Sequence, residues 1–67
     1  MKINAKETYQ TIEFNGTLYD ITISQPKPRM AYSAIVLVKG QRDASFFQKF
    51  DTRAIAARAI ESFFQNL

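Results

Sequence analysis

The stretch Glu7 to Ser24, ETYQTIEFNGTLYDITIS, decides the fold. Two runs rich in β-branched and aromatic residues flank the pair Asn15 and Gly16. Both of those residues tolerate a positive φ, which the central positions of a type I′ turn require, and that turn's twist matches the twist of the strands it joins. The stretch therefore reads as a β-hairpin with a two-residue loop. Such a loop fixes the register: Phe14 faces Thr17, Ile12 faces Tyr19, Gln10 faces Ile21 and Thr8 faces Ile23. Side chains alternate along a strand, so Ile12, Phe14, Tyr19, Ile21 and Ile23 share one face, expected to be buried. Tyr9, Thr11, Glu13, Leu18, Asp20 and Thr22 share the other, expected to be largely solvated.

Upstream, Met1 to Lys6 is polar, shows no clear period and is a candidate for fraying. Downstream, Gln25 to Arg29 carries Pro26 and Pro28, which lack a backbone donor and bias the residue before them toward extended geometry, so no ladder should run through it. Tyr32 to Lys39 is a third β-rich run and reads as central in the sheet, with Ala34, Val36 and Val38 on one face and Ile35 and Leu37 on the other. Gly40 to Asp43 reads as a turn. Ser45 to Phe50 reads as a fourth strand, with Phe46 and Phe50 on one side and Phe47 on the other.

Asp51 and Thr52 are N-cap candidates, and nothing after them breaks a helix from about Thr52 to Asn66. Ile55, Ala56, Ala59, Ile60, Phe63 and Leu67 fall on one stripe at helical spacing, and Arg53, Arg58, Glu61, Ser62 and Gln65 lie away from it. The expected fold class is α+β, with an antiparallel sheet of three to four strands in ββββα order packed against one C-terminal amphipathic helix. A chain of 67 residues holds one core, so residues 1–67 form a single domain.

Composition narrows the function. The chain has no Cys and no His, which removes disulfides and the side chains on which ordinary zinc, haem and iron–sulfur sites rely. No cofactor is expected. Nucleophilic and general-base chemistry commonly uses His, a reactive Cys or an acidic pair beside a cleft. The six acids are scattered over strand, turn, cap and helix, with Asp51 reading as a cap and Asp43 as a turn residue. Gly16 and Gly40 stand alone, outside any phosphate-cradling motif. Neither an enzyme nor a small-molecule substrate is expected. Met1 and Lys2 are not followed by the apolar run of a signal peptide, and no stretch approaches the roughly 20 apolar residues that span a bilayer, so no membrane role is expected. The absence of Cys fits a reducing compartment, the cytoplasm.

Charge is the feature that points to a partner. The net charge is +3, unevenly spread. Residues 1–26 hold two Lys against three acids, for −1, and residues 27–67 hold seven Lys and Arg against three acids, for +4. The seven are Lys27, Arg29, Lys39, Arg42, Lys49, Arg53 and Arg58. They fall on the Pro-flanked loop, the 39–42 turn, the last strand and the helix, and converging loops and ends would make a phosphate-binding surface for nucleic acid beside Tyr32 or Phe47. Ordinary solubilising charge is the competing reading. A second reading is docking on a protein partner, or a homodimer, through a sheet edge or an aromatic patch of Tyr9, Leu18, Phe47 and Phe64.

The segment YSAIVLVKGQRDASFFQKFDTRAIAARAIESFF, Tyr32 to Phe64, resembles the N-terminal arm-type DNA-binding domains of phage tyrosine integrases. The likeness rests on Lys39, Gly40 and Arg42 in a turn between strands, on Phe50 and Thr52 leading into a helix, and on Ala56, Ala57 and Ala59 within it. That family implies a three-stranded sheet followed by a helix, with the sheet entering the DNA major groove and Arg42, Lys39 and Lys49 as contacts. The hairpin around Asn15 and Gly16 is an addition to that pattern. The same segment faintly resembles the last strands and helix of double-stranded-RNA-binding domains, whose first helix has no counterpart here. In size and layout the chain is also similar to small phage-encoded inhibitors of bacterial defence, including those that act on CRISPR systems, which would imply a protein target.

Overall fold

The computed structural model describes all 67 residues. Strands β1 (Tyr9–Phe14), β2 (Thr17–Ser24), β3 (Tyr32–Val38) and β4 (Phe46–Phe50) form one antiparallel sheet in the order β1-β2-β3-β4, and helix α1 (Arg53–Gln65) follows. The hairpin closes as its turn residues require: Asn15 has φ 52° and Gly16 φ 83°. Phe14 pairs with Thr17, Ile12 with Tyr19 and Gln10 with Ile21, and the Ile23 amide donates to the Thr8 carbonyl at 2.9 Å. β3 lies between β2 and β4, as its apolar run on both faces suggests.

Thr52 is the helix N-cap: its hydroxyl accepts from the Ile55 amide at 3.1 Å and satisfies one of the donors that a first turn leaves open. Asn66 closes the other end, donating from its side chain to the Ser62 carbonyl at 2.9 Å. The helix packs beneath β2, β3 and β4. Ile21, Ile23, Ala34 and Val36 come down from the sheet to meet Ala56, Ala57, Ile60 and Phe64. The two adjacent alanines let the helix axis approach the sheet closely, and Phe64 fills the space by the hairpin, its ring centroid 5.2 Å from Phe14 and 4.9 Å from Tyr19.

Two expectations are corrected here. The buried stripe is turned by most of one residue step, so Ala57 and Phe64 are inside while Ile55 and Leu67 are exposed. The N-terminal segment does not fray. Ile3 is 3% exposed and belongs to the core, its amide donating to the Glu61 carboxylate at 2.7 Å. Gln10, on the inner face of β1, clamps Asn4 twice, donating to its carbonyl at 2.9 Å and accepting from its amide at 3.2 Å. The segment thus lies under β1, a strand the helix scarcely reaches, and one cause accounts for both corrections. Arg53 and Glu61 point toward the N-terminal segment, and the helix is rotated to present them.

Candidate nucleic-acid interface

With the helix and residues 1–8 on one side, the other face of the sheet is left uncovered. Cross-strand register orders its side chains into rows. Tyr9, Thr22, Ile35 and Phe47 form a row across all four strands, Thr11, Asp20 and Leu37 a second, and Ser24, Ser33 and Lys49 a third. Ile35 and Leu37 are half-buried among their neighbours, whereas Tyr9 is 76%, Phe47 57% and Leu18 45% exposed. The acids of this face, Glu13 and Asp20, sit on β1 and β2, where Asp20 accepts a 2.8 Å hydrogen bond from the Thr11 hydroxyl. Its β4 side carries Lys49 instead.

The seven basic residues do not converge on one patch. Lys27 and Arg29 lie on the β2–β3 loop, at the end of the sheet where Lys49 also sits. Lys39 and Arg42 lie on the β3–β4 turn, at the opposite end beside the Asn15–Gly16 turn, because antiparallel strands alternate their connections. Arg58 is exposed on the helix, which packs on the other side of the sheet.

Arg53 is half-buried, and its charge is engaged within the fold. Its guanidinium donates to the Ile23 carbonyl at 3.1 Å, the Ala5 carbonyl at 3.4 Å and the Thr8 hydroxyl at 3.3 Å, and it stands 5.4 Å from the centre of the Tyr32 ring. It ties the helix start to the sheet and to the N-terminal segment. Arg53→Ala is expected to lower the unfolding free energy by about 1–3 kcal/mol, since it removes those bonds and strands the Ile23 carbonyl. A lower urea midpoint at unchanged slope would show it.

Phe64, proposed above as part of an interaction patch, is 1% exposed and lies at the heart of the core. Tyr9, Leu18 and Phe47 remain as the apolar part of the open face.

The β2–β3 loop is held in shape. Gln25 donates to the Met30 carbonyl at 2.8 Å, and the Met30 amide donates to the Lys27 carbonyl at 3.2 Å. Pro28 and Arg29 occupy the middle of that turn. Arg29 has φ 66°, a left-handed conformation that favours Gly and costs other residues about 1–2 kcal/mol. Between the loop and the sheet lies a shallow cavity of about 210 Å³, lined by Pro26, Lys27, Met30, Ala31, Ser33 and Lys49. No acidic residue lines it. Sequence reasoning missed Ser33 and this cavity. The β3–β4 register is set across a seven-residue connection, residues 39–45, so no turn rule places Ser33 opposite Lys49.

No helix of the chain is long and apolar enough to cross a membrane. No family model, no curated protein and no solved structure matches the chain.

Proposed function

We propose that this chain is a non-catalytic binding domain that takes nucleic acid on the open face of its sheet, between the basic groups at its two ends. One observation carries this reading: Phe47, an aromatic ring more than half exposed, stands on the same strand face as Lys49, with Lys27 and Arg29 on the adjoining loop. A ring held in water by a rigid sheet offers a stacking platform to a base of any identity, and cations beside it neutralise phosphates. The +4 balance of residues 27–67 favours the same partner. The surviving basic set is Lys27, Arg29, Lys39, Arg42 and Lys49, with Arg53 committed to the fold and Arg58 turned away.

Fluorescence anisotropy with labelled oligonucleotides tests this. Binding at low salt should weaken steeply as salt rises, and replacing Arg42 and Lys49 together with Glu should abolish it while leaving the circular dichroism spectrum unchanged. Failure of every oligonucleotide to bind at low salt would rule the reading out.

A second reading, docking of a protein partner or a second copy, is favoured by Leu18. It adds an apolar side chain to the Glu13 and Asp20 side of the face, where phosphates are disfavoured. Leu18→Ser would then remove the partner, or shift a dimer to monomer in sedimentation, whereas nucleic-acid binding would be indifferent to it.

A further inference from the structure

We propose that the cavity under the β2–β3 loop is a phosphate seat and that its occupant is the backbone of a single-stranded nucleic acid whose neighbouring base stacks on Phe47. This rests on the nucleic-acid reading above and specifies its ligand.

Lys27 and Lys49 both line the cavity, so two cations flank a space from which carboxylates are absent. Ser33 lines it too. Although only 7% exposed, it is the residue paired with Lys49 in the β3–β4 ladder, and its side chain takes none of the hydrogen bonds that engage the other side chains near that end of the sheet. Its hydroxyl is therefore available as a donor. Two ammonium groups and a hydroxyl suit a tetrahedral oxyanion. The loop's two hydrogen bonds and its prolines fix the Lys27 backbone beside the cavity before anything binds, which reduces the ordering that a ligand must impose.

Register then brings in the base. Phe47 precedes Lys49 by two residues on the same face of β4, about 7 Å along the strand. Ile35 lies opposite Phe47 in the ladder, giving the ring an apolar floor. Strand width argues for a single strand. Four strands span roughly 14 Å of backbone, three spacings of about 4.8 Å, against a B-DNA major groove about 12 Å wide. A four-stranded face with an aromatic at each edge is too broad to enter that groove, and the bases of a duplex are already stacked on one another. Unpaired bases have free π faces.

The test measures binding of a labelled short oligothymidylate, of its duplex with oligoadenylate, and of inorganic phosphate to the full chain. The single strand should bind at least tenfold more tightly than the duplex. Ser33→Ala should weaken it several-fold with an unchanged salt dependence, because a hydroxyl displaces no counterion. Lys27→Ala with Lys49→Ala should weaken it more and make the slope of log affinity against log salt shallower by about 0.7, the value for the one single-strand phosphate that the two lysines share. Phe47→Ala should cost roughly tenfold.

Duplex binding as tight as the single strand would overturn the proposal. So would full affinity in the Ser33 and double-lysine variants with loss only in Lys39→Ala with Arg42→Ala, an outcome that leaves nucleic-acid binding standing. Inorganic phosphate that occupied the cavity as readily as the strand would also overturn it, as a free-anion site. Absence of binding by any oligonucleotide would remove both this proposal and the function it rests on.

Discussion

Replacing Ile60 with Asp is expected to leave the chain without a cooperative fold. Ile60 is fully buried in the middle of α1, between Ala56 and Ala57 on one side and Phe64 on the other, against the inner face of the sheet. Burying an isoleucine contributes about 1.5–3 kcal/mol, all of which is lost. The new carboxylate would then either stay ionised in an apolar site with no cation aimed at it or remain protonated at neutral pH, and both outcomes cost several kcal/mol more. A chain of this length has a total stability of roughly 3–10 kcal/mol, so the sum is comparable with everything that holds it together. The amide spectrum should collapse to the dispersion of an unfolded chain, and the thermal transition should disappear. Arg58→Asp, on the exposed side of the same helix, is expected to change stability by no more than about 0.5 kcal/mol, which separates burial from helix propensity. A folded Ile60→Asp protein would mean that the helix does not cover the sheet.

Phe64→Ala is the second large effect, and it distinguishes this residue from Phe47. The Phe64 ring meets Phe14, Tyr19 and Phe63 with centroids 5.2, 4.9 and 5.2 Å away, so truncation opens a cavity where the helix and the β1–β2 hairpin converge. The expected loss is about 3–5 kcal/mol, read as a large fall in urea midpoint, and it would leave the variant only marginally folded. Phe47→Ala removes a ring that is more than half exposed and loses only its cross-strand contact with Ile35, so it should cost no more than about 1 kcal/mol. Equal losses from the two substitutions would show that the outer face of the sheet is also a core.

The hairpin was legible because its rules are local. Asn15 and Gly16 specify the turn, the turn specifies the register, and the register sorts every side chain from Tyr9 to Ile23 to its correct face. The helix was legible in extent but not in rotation. Its face was assigned by placing charged residues outward, and Arg53 and Glu61 disobey that rule because each meets the N-terminal segment, Arg53 through the Ala5 carbonyl and Thr8 hydroxyl and Glu61 through the Ile3 amide. Those partners are more than 40 residues away in sequence, and no periodicity within the helix encodes them. Phe64 is misplaced for the same reason, since turning the buried stripe by most of one residue step brings it inside. Residues 1–6 carry two large apolar side chains, Met1 and Ile3, of which Ile3 alone is buried, and two such residues are too few to establish a period. The segment is held instead by Gln10 and Glu61, contacts visible only in three dimensions.

The candidate site divides in the same way. Tyr9, Leu18 and Phe47 were assigned to the open face by alternation alone, and they are exposed there. The basic residues were identified by type, but their grouping depends on which end of the sheet each connection occupies. The topology puts Lys27, Arg29 and Lys49 together and sends Lys39 and Arg42 about a strand's length away. The resemblance to integrase arm domains implied a three-stranded sheet entering a major groove. The sheet has four strands, and its width is why the proposed ligand is a single strand.

Chemical-shift mapping of the isotopically labelled chain with a short oligothymidylate tests the binding face most directly. Amides of Lys27, Ser33, Ile35, Phe47 and Lys49 should shift on titration, while those on the exposed side of α1, such as Arg58 and Gln65, stay still. Shifts confined to the helix, or none at any ratio in low salt, would contradict it.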